Sequence, residues 1–493
     1  MNVLDRILAP VAPGLVARRL ANRAAIQAYE AASPSRTHKA KGQALSGTAS
    51  VGLSSLSIRK QARKLDEDHD LVIGLFDRLE ERVVGGDGIT VEPMPRDREG
   101  NLMTDFAAQI KAARQEWALK PEVTGEYTLP QVERLVARSW LRDGEVLAQL
   151  VRGKVPLYTH LTAVPFALEL LEADYLPLDL SDKDKGILQG IERDSWRRVR
   201  AFHVLREHPG DFSTFSLATK RVPAENMLYL ALRRRIGQNR GMSLLHGALI
   251  RLADLKDYEE SERVAARIAA ALAMYIKKGN PDGFQSTPGP ERTFEIRPGM
   301  MFDGLKEGED IGMVESNRPN PLLEGFRNAM IRAVAAGTRS TYSSVARAYD
   351  GTYSAQRQEL VEGYEGYYLL QREFIDSWSR PVYRNWLAMA VASGVLTLPP
   401  KLDPSTLYSA FYMGPVMPWI NPVQEANAWE TLVSGGFADE AEVARARGRD
   451  PQELKASRAA EIQTNREKGL VFSSDAYHDH YGNKGAPANG QKK

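Results

Sequence analysis

RRRIGQNRGMS, residues 233–243, is the stretch on which the reading of this chain turns. Arg233, Arg234, Arg235 and Arg240 crowd around Gly237, Gln238 and Gly241, and the segment runs directly into an alanine-rich pattern from Ser243 to about Lys277. Glycines inside a polar cluster mark a place where the chain turns, because glycine enters left-handed backbone conformations freely. Small and apolar residues at helical spacing serve the packing of helix against helix and carry no chemistry. A hinge feeding a rod is a mechanical part, and the spacing predicts one helix over 243–277.

Upstream, residues 145–232 alternate short strands with loops: EVLAQLVR from Glu145, ALELLEADYLPL from Ala167, ILQGIERD from Ile187, RVRAFHVLRE from Arg198 and MLYLALR from Met227. Asp143-Gly144 is a turn signal before the first of them. Helices are expected around 105–119 and 129–142, the second entered through Thr128 and Pro130. A further helix should run from Ile58, with Leu65, Leu71, Val72, Leu75, Leu79 and Val83 as its apolar stripe. Gly85-Gly86-Asp87-Gly88 stops it, and Ile89-Thr90-Val91 begins a strand. Residues 33–57, rich in Ser, Gly, Ala and Lys, read as part of a flexible arm.

Downstream, 279–322 is Pro/Gly-rich, with strand candidates at 293–297 and 311–315. Pro321 opens a helix whose apolar face holds Leu322, Leu323, Phe326, Met330, Ile331 and Val334, and Gly337 closes it. A polar loop, TRSTYSSVARAYDGTYS (338–354), separates it from a long aromatic helix reaching Ala392 and interrupted at Pro381. Residues 401–423 are Pro-rich and extended, 424–470 helical, and 475–493 a disordered end. The fold class expected is α+β, predominantly helical.

Composition excludes several functions. The 493 residues carry 65 basic and 63 acidic side chains, so the whole chain is not a general polyanion binder. The absence of cysteine removes thiol catalysis, disulfides and cysteine-based metal sites. No stretch reaches the roughly 20 apolar residues of a membrane span. The amphipathic start, MNVLDRILAPVAPGLVARRL, lacks a cleavage site and reads as an arm that either binds a partner or stays disordered.

No catalytic constellation emerges. Gly85–Gly88 matches neither phosphate-loop pattern and comes after a helix, not a strand. The histidines are scattered, and His478 and His480 lie in a solvated tail. Asp66-Glu67-Asp68 and Glu259-Glu260 fall on helix surfaces. The chain is therefore expected not to be an enzyme and to need no cofactor or metal. The clusters Arg59-Lys60, Arg63-Lys64 and Arg233–Arg235 read as solvated or subunit-bridging charges. Arg339 and Arg347, interleaved with Tyr342, Ser343, Ser344, Tyr349 and Tyr353, combine phosphate-binding cations with stacking rings; an ordinary surface loop has the same residues.

Taken together, these segments resemble the lambda-like family of tailed-bacteriophage portal (head–tail connector) proteins. The likeness is carried in order by SIRKQARKLDEDHDLVIGLFDRLEERVVGGDGITVEP (57–93), WLRDGEVL (140–147), GIERDSWRRVRAFHVLREHPGD (190–211) and RVPAENMLYLALRRRIGQNRGMSLL (221–245). It continues through IRPGMMFDGLKEGEDIGMVESNRPNP (296–321), AAGTRSTYSSVARAYDGTYSAQRQEL (335–360) and MGPVMPWINPVQEANAWETLVSGGFADEAEVARARGRD (413–450). Within Tyr353-Ser354-Ala355-Gln356-Arg357, Gln356 stands where that family has a small residue. The arm before Ser57 and the tail after Leu470 carry no matching motif.

What the resemblance implies is a ring, twelve-fold in the capsid, at one vertex of the virion and assembled in the host bacterial cytoplasm. Implied partners are further copies of the chain, double-stranded DNA in the channel, terminase, major capsid or scaffold proteins, and head-completion or tail proteins, with no membrane. Portal anatomy then maps as arm 1–57, wing 58–242, a helix toward the stem at 243–278, clip 279–320, stem helix 321–337, tunnel loop 338–354, long wing helix 355–400, crown 401–475 and tail 476–493. Under that mapping Arg339, Tyr342, Ser343, Ser344, Arg347, Tyr349 and Tyr353 would line the channel. Arg233, Arg234, Arg235, Gly237, Gln238, Arg240 and Gly241 would form a hinge at a subunit interface. The alternatives are a nuclease or ATPase of the packaging machinery, which lacks its motif here, and a monomeric DNA-binding adaptor, which would need a strongly basic face.

Overall fold

The computed structural model describes residues 45–211, 218–270, 274–278, 309–313, 322–418, 420–470, 472 and 475. Most of the expected arm, most of the expected clip with its strand at 293–297, and the tail from 476 lie outside them. Contacts divide the chain into residues 1–50 and 51–493, and the second unit carries the sheets and the core.

Helix α1, Gly47–Asp68, begins well before Ile58, which corrects the reading of 47–57 as flexible arm. From Val51 on, its buried positions are Val51, Ser55, Arg59, Ala62 and Asp66, spaced by four, four, three and four, which is the helical period. The serines and glycines masked that period because buried Ser55 does the work of an apolar residue. At His69 the helix breaks, and α2, Asp70–Val83, continues with Val72, Leu75, Phe76, Leu79 and Val83 buried.

Strand β1, Thr90–Pro93, is followed by α3, Thr104–Trp117, and α4, Leu129–Asp143. The Thr128 hydroxyl and the Gln131 side chain form a reciprocal capping box at the start of α4. Gly144 ends α4 with φ 87°, so the turn read at Asp143-Gly144 is present. Strand β2, Glu145–Arg152, lies at the centre of an antiparallel sheet between β3, Phe166–Glu172, and β8, Met227–Ala231. A second antiparallel sheet runs in chain order through β4 (Ile187–Leu188), β5 (Ile191–Arg193), β6 (Val199–Leu205) and β7 (Thr219–Pro223).

After the hinge segment a short 3-10 turn, Leu244–Gly247, leads into α5, Leu249–Ala270. The helix expected to reach Lys277 thus stops early. Met274–Lys278 forms strand β9, paired antiparallel with β10, Glu309–Met313. Tyr275 and Ile276 are strand formers, and a partner strand satisfies the backbone groups that the helix would have used.

Helix α6, Leu323–Gly337, ends at its predicted glycine. The segment read as an unbroken loop holds a helical turn, α7, Tyr342–Ala346, because the Thr341 hydroxyl accepts the Ser344 N–H at 3.2 Å and caps it. The long aromatic helix is α8, Tyr353–Phe374, then a π turn, Ile375–Ser379, then α9, Arg380–Ala392. Its irregularity sits upstream of Pro381, whose missing N–H and bulky ring act on the preceding turn.

Strand β11, Ala410–Met413, pairs with β1. Helices α10 (Pro422–Ser434), α11 (Glu440–Ala446) and α12 (Pro451–Glu467) close the chain as expected for 424–470. The larger of two cores among the described residues joins α2, α3, α4, the β2 sheet, α8 and α9 around Trp117, Trp140, Phe374, Trp378, Tyr383 and Trp386, and a smaller one lies between the two sheets around Leu147, Ile191, Phe202 and Val204. The fold is α+β and predominantly helical.

Candidate hinge and channel-loop site

The hinge is built on backbone-to-backbone contact. Leu232 N–H donates to the Gly144 carbonyl at 2.8 Å, and Met242 N–H to the Leu232 carbonyl at 3.1 Å. A Cβ on Gly241 would lie 1.9 Å from the Gly144 carbonyl oxygen, and one on Gly144 would lie 2.3 Å from the Met242 carbonyl carbon. Two glycines are required for these strands of chain to touch. Gly237, with φ 77°, is the glycine that turns the loop tip.

Around this contact the polar residues divide sharply. Gln238 is buried; its Nε2 donates to the Arg240 carbonyl at 2.9 Å and its Oε1 accepts the Arg234 N–H at 3.1 Å. Arg240 is fully buried. Its Nε donates to Glu145 Oε2 at 2.9 Å, its Nη2 to Glu145 Oε1 at 2.5 Å, and its Nη1 to the Gln189 carbonyl at 3.0 Å. Both residues therefore work inside the subunit, which removes their side chains from the expected subunit interface. Arg233, Arg234 and Arg235 stay exposed, with Arg233 stacked on Tyr229 at 5.4 Å.

Glu145 was not singled out in the sequence. It is buried at the start of β2 and receives Arg240, Arg59 Nη2 at 2.7 Å, the Tyr229 hydroxyl at 2.5 Å and the Gly241 N–H at 3.0 Å. Burial alone would raise its carboxyl; Arg240, then Arg59 and Tyr229, hold it well below the usual carboxylate range. Burial beside that carboxylate pushes the Tyr229 hydroxyl up. Arg59, read as solvated or subunit-bridging, is instead a core cation, because α1 aims it at Glu145 and at Asp174, 3.4 Å away. The buried polar network ties α1, β2, β8 and the hinge into one unit.

The loop after α6 has a different character. Thr338 is buried and donates to the Val334 carbonyl at 2.9 Å. Arg339 and Arg347 flank α7 with φ 57° and 52°, a region that a bulky side chain enters only under constraint. Both arginine side chains are exposed, as are Tyr349 and Tyr353. Tyr342 is half-buried under Arg332, 5.0 Å from its ring centre. Ser343 donates from its backbone and hydroxyl to Glu359, at 2.9 and 2.6 Å, and the Ser344 hydroxyl accepts from Thr341 at 2.8 Å. The two serines and Tyr342 shape the loop; the two arginines and two tyrosines are the groups it presents.

The loop is seated on α8 by glycine. A Cβ on Gly363 would lie 2.4 Å from Thr341 Cγ2, and one on Gly366 would lie 3.1 Å from the Arg339 carbonyl oxygen. Farther along α8, burial raises the Glu373 carboxyl while Arg339 and then Arg233 pull it back. One carboxylate thus faces an arginine from each of the two segments singled out in the sequence. Elsewhere, Glu172, Asp174 and His208 form the one group among the described residues with metal-binding spacing. Arg63, 2.5 Å from Asp174 and 3.2 Å from Glu172, already supplies its counter-charge.

Residues 33–371 match the family described as phage portal protein, lambda family. A probable portal protein of Halomonas phage phiHAP-1 is 22% identical over 433 residues, covering 84% of this chain and 81% of that relative. Among solved structures, the neck of an empty gene transfer agent particle aligns with a TM-score of 0.45 at 12% identity, covering 80% of this chain and 94% of that one. An HK97-family phage portal protein from Corynebacterium diphtheriae aligns with a TM-score of 0.32 at 14% identity, covering 72% and 95%. With the family match extending over most of its length, from residue 33, inside the expected N-terminal arm, into the long helix α8, this chain belongs to the lambda family of phage portal proteins.

Proposed function

We propose that this portal protein assembles into a closed ring, twelve-fold at one capsid vertex of the virion, and that its 338–354 loop faces a channel through which double-stranded DNA is packaged and ejected. The observation that carries the loop assignment is the pair of exposed arginines, Arg339 and Arg347, held at positive φ on either side of α7 beside exposed Tyr349 and Tyr353. In a ring, each copy contributes the same few cations to one circle, so weak phosphate contacts are multiplied while each stays easy to break. A near-balanced total charge suits a duct better than a clamp.

On this reading the chain is a structural connector without catalysis. It docks terminase during packaging, then head-completion or tail proteins, and contacts major capsid or scaffold proteins as it is built in the host cytoplasm. The exposed Arg233, Arg234 and Arg235 act between neighbouring subunits, while Gly237 and Gly241 carry the chain from the wing toward the stem. Mass measurement with negative-stain imaging tests the ring: a stable monomer at high concentration would sink it. Deleting residues 339–352 should leave the ring intact and abolish DNA packaging or retention, and normal packaging by that variant would exclude the loop from the channel.

A further inference from the structure

The hairpin between β5 and β6 ends in a tip, Asp194–Arg198, that the fold holds rigid. Asp194 Oδ1 accepts the Trp196 N–H at 2.9 Å and the Arg198 N–H at 2.8 Å, and Arg197 sits at φ 65°. Arg193 braces the tip against the hinge: its Nη1 donates to the Arg197 carbonyl at 2.6 Å and its Nε to Asn239 Oδ1 at 2.8 Å. Yet Trp196 at the apex is 82% exposed, and Ile236 on the neighbouring hinge loop is 106% exposed. Around them the exposed Arg197, Arg198 and Arg234 make no ion pair with any described residue. Rigid scaffolding under a bare tryptophan and isoleucine, ringed by arginine, is the composition of an interface hot spot.

A DNA duplex does not suit this tip, since phosphates would satisfy the arginines and leave both apolar side chains in water. The occupant must offer apolar surface with negative charge beside it. Helix α8 has such a face. Val361, Tyr368 and Leu369 are exposed there, the last two 57% and 60%. Glu362 and Glu365 are exposed on the same face, and neither forms an ion pair among the described residues; Glu362 only accepts an amide from Gln358 at 2.8 Å. Positions 361, 362, 365, 368 and 369 recur at helical spacing, so they form one continuous strip. A closed ring requires two different complementary surfaces on every subunit.

We propose that the Trp196–Arg198 tip, with Ile236, docks onto the Val361–Leu369 face of α8 in the adjacent copy of this chain. The proposal rests on the ring reading and gives it one specific heterologous contact. Trp196 and Ile236 cover Val361, Tyr368 and Leu369, while Arg197 and Arg198 meet Glu362 and Glu365.

Charge reversal tests the pairing in the full-length protein. R197E/R198E and E362R/E365R should each raise the concentration needed for half-assembly of rings at least tenfold, and the four-fold combination should recover most of that loss. Circular dichroism and thermal midpoints should be unchanged, because all four side chains are at the surface. Cross-linking gives an assay independent of affinity, since the chain has no cysteine. A W196C/L369C variant treated with a short bismaleimide should yield a ladder of covalent multimers, and neither single variant should. Rings that assemble normally in both reversed variants, or that yield no ladder, would overturn the docking and leave the ring reading standing. Absence of rings in the unsubstituted protein would overturn the ring reading itself. Assembly unaffected by the reversals, with loss of binding to a different capsid component, would assign the tip to that component and also overturn the proposal.

Discussion

Arg240 and Arg233 belong to one basic cluster in the sequence, yet one is fully buried and the other lies in water. The difference is made by Glu145, 95 residues away, and no local pattern announces it. Breaking such a pair leaves an uncompensated buried charge, so Arg240→Ala should cost about 3–5 kcal/mol, read as a shift in the urea unfolding midpoint. Glu145 is depressed below its ordinary 4.5 in the folded chain. Its stabilisation is therefore complete above that value and is lost as pH falls toward about 2. Glu133 behaves in the opposite way. Buried on α4, it accepts the Ile89 N–H at 2.7 Å and the Ser379 hydroxyl at 3.3 Å, and burial raises its carboxyl to about 7. Its neutral form suits the fold, so its contribution is complete below the ordinary value near 4.5 and is lost as pH rises through about 7. The upper bound on that loss is about 3 kcal/mol, at roughly 1.36 kcal/mol per pH unit. Thermal midpoints across pH 4.5–8 should fall in the parent protein, and Glu133→Gln should flatten the curve.

Among the elements, periodicity was legible wherever apolar residues marked it. Helices α2, α3, α4 and α6, and strands β2, β3, β6 and β8, occur where the pattern places them. The misses have a shared cause. In α1 the stripe is completed by Ser55 and Arg59, in α7 by a hydroxyl cap, and at β9 by a partner strand more than 30 residues downstream. In each case the deciding interaction is polar or distant. The seating of the loop on α8 depends on Gly363, where two effects compete. Alanine gains about 1 kcal/mol of helix propensity, but its Cβ would lie 2.4 Å from a Thr341 side chain already fixed by its cap. Overpacking of that kind costs about 1–3 kcal/mol, so Gly363→Ala should lower the thermal midpoint and speed proteolysis within 339–352. An unchanged cleavage rate would show that the loop is not seated by this contact.

At the scale of the whole molecule, the seven segments that resemble the portal family identified it, though no single one of them could have done so. Charged contacts tie the C-terminal helices to the rest of the chain. Lys111 bonds Asp450 and Arg445 reaches Glu92 at 3.1 Å, while α10 buries none of its residues. Removing both links with Lys111→Met and Glu92→Gln should make the chain between Met413 and Pro422 the first site of protease cleavage, seen as a fragment ending there in mass spectra. Equal cleavage rates in parent and variant would mean that apolar contact holds the module. The π turn at Ile375–Ser379 sets how the two halves of the long helix are oriented. Helices α8 and α9 form one strut, and the extra residue in its middle offsets the two halves by about 100°. Ile375, Trp378 and Ser379 of that turn are buried, so core packing fixes the offset between the two halves. Deleting Ser377 should regularise the rod and turn the loop end away from its present bearing; if the loop faces the proposed channel, rings of that variant should still form but fail to retain DNA.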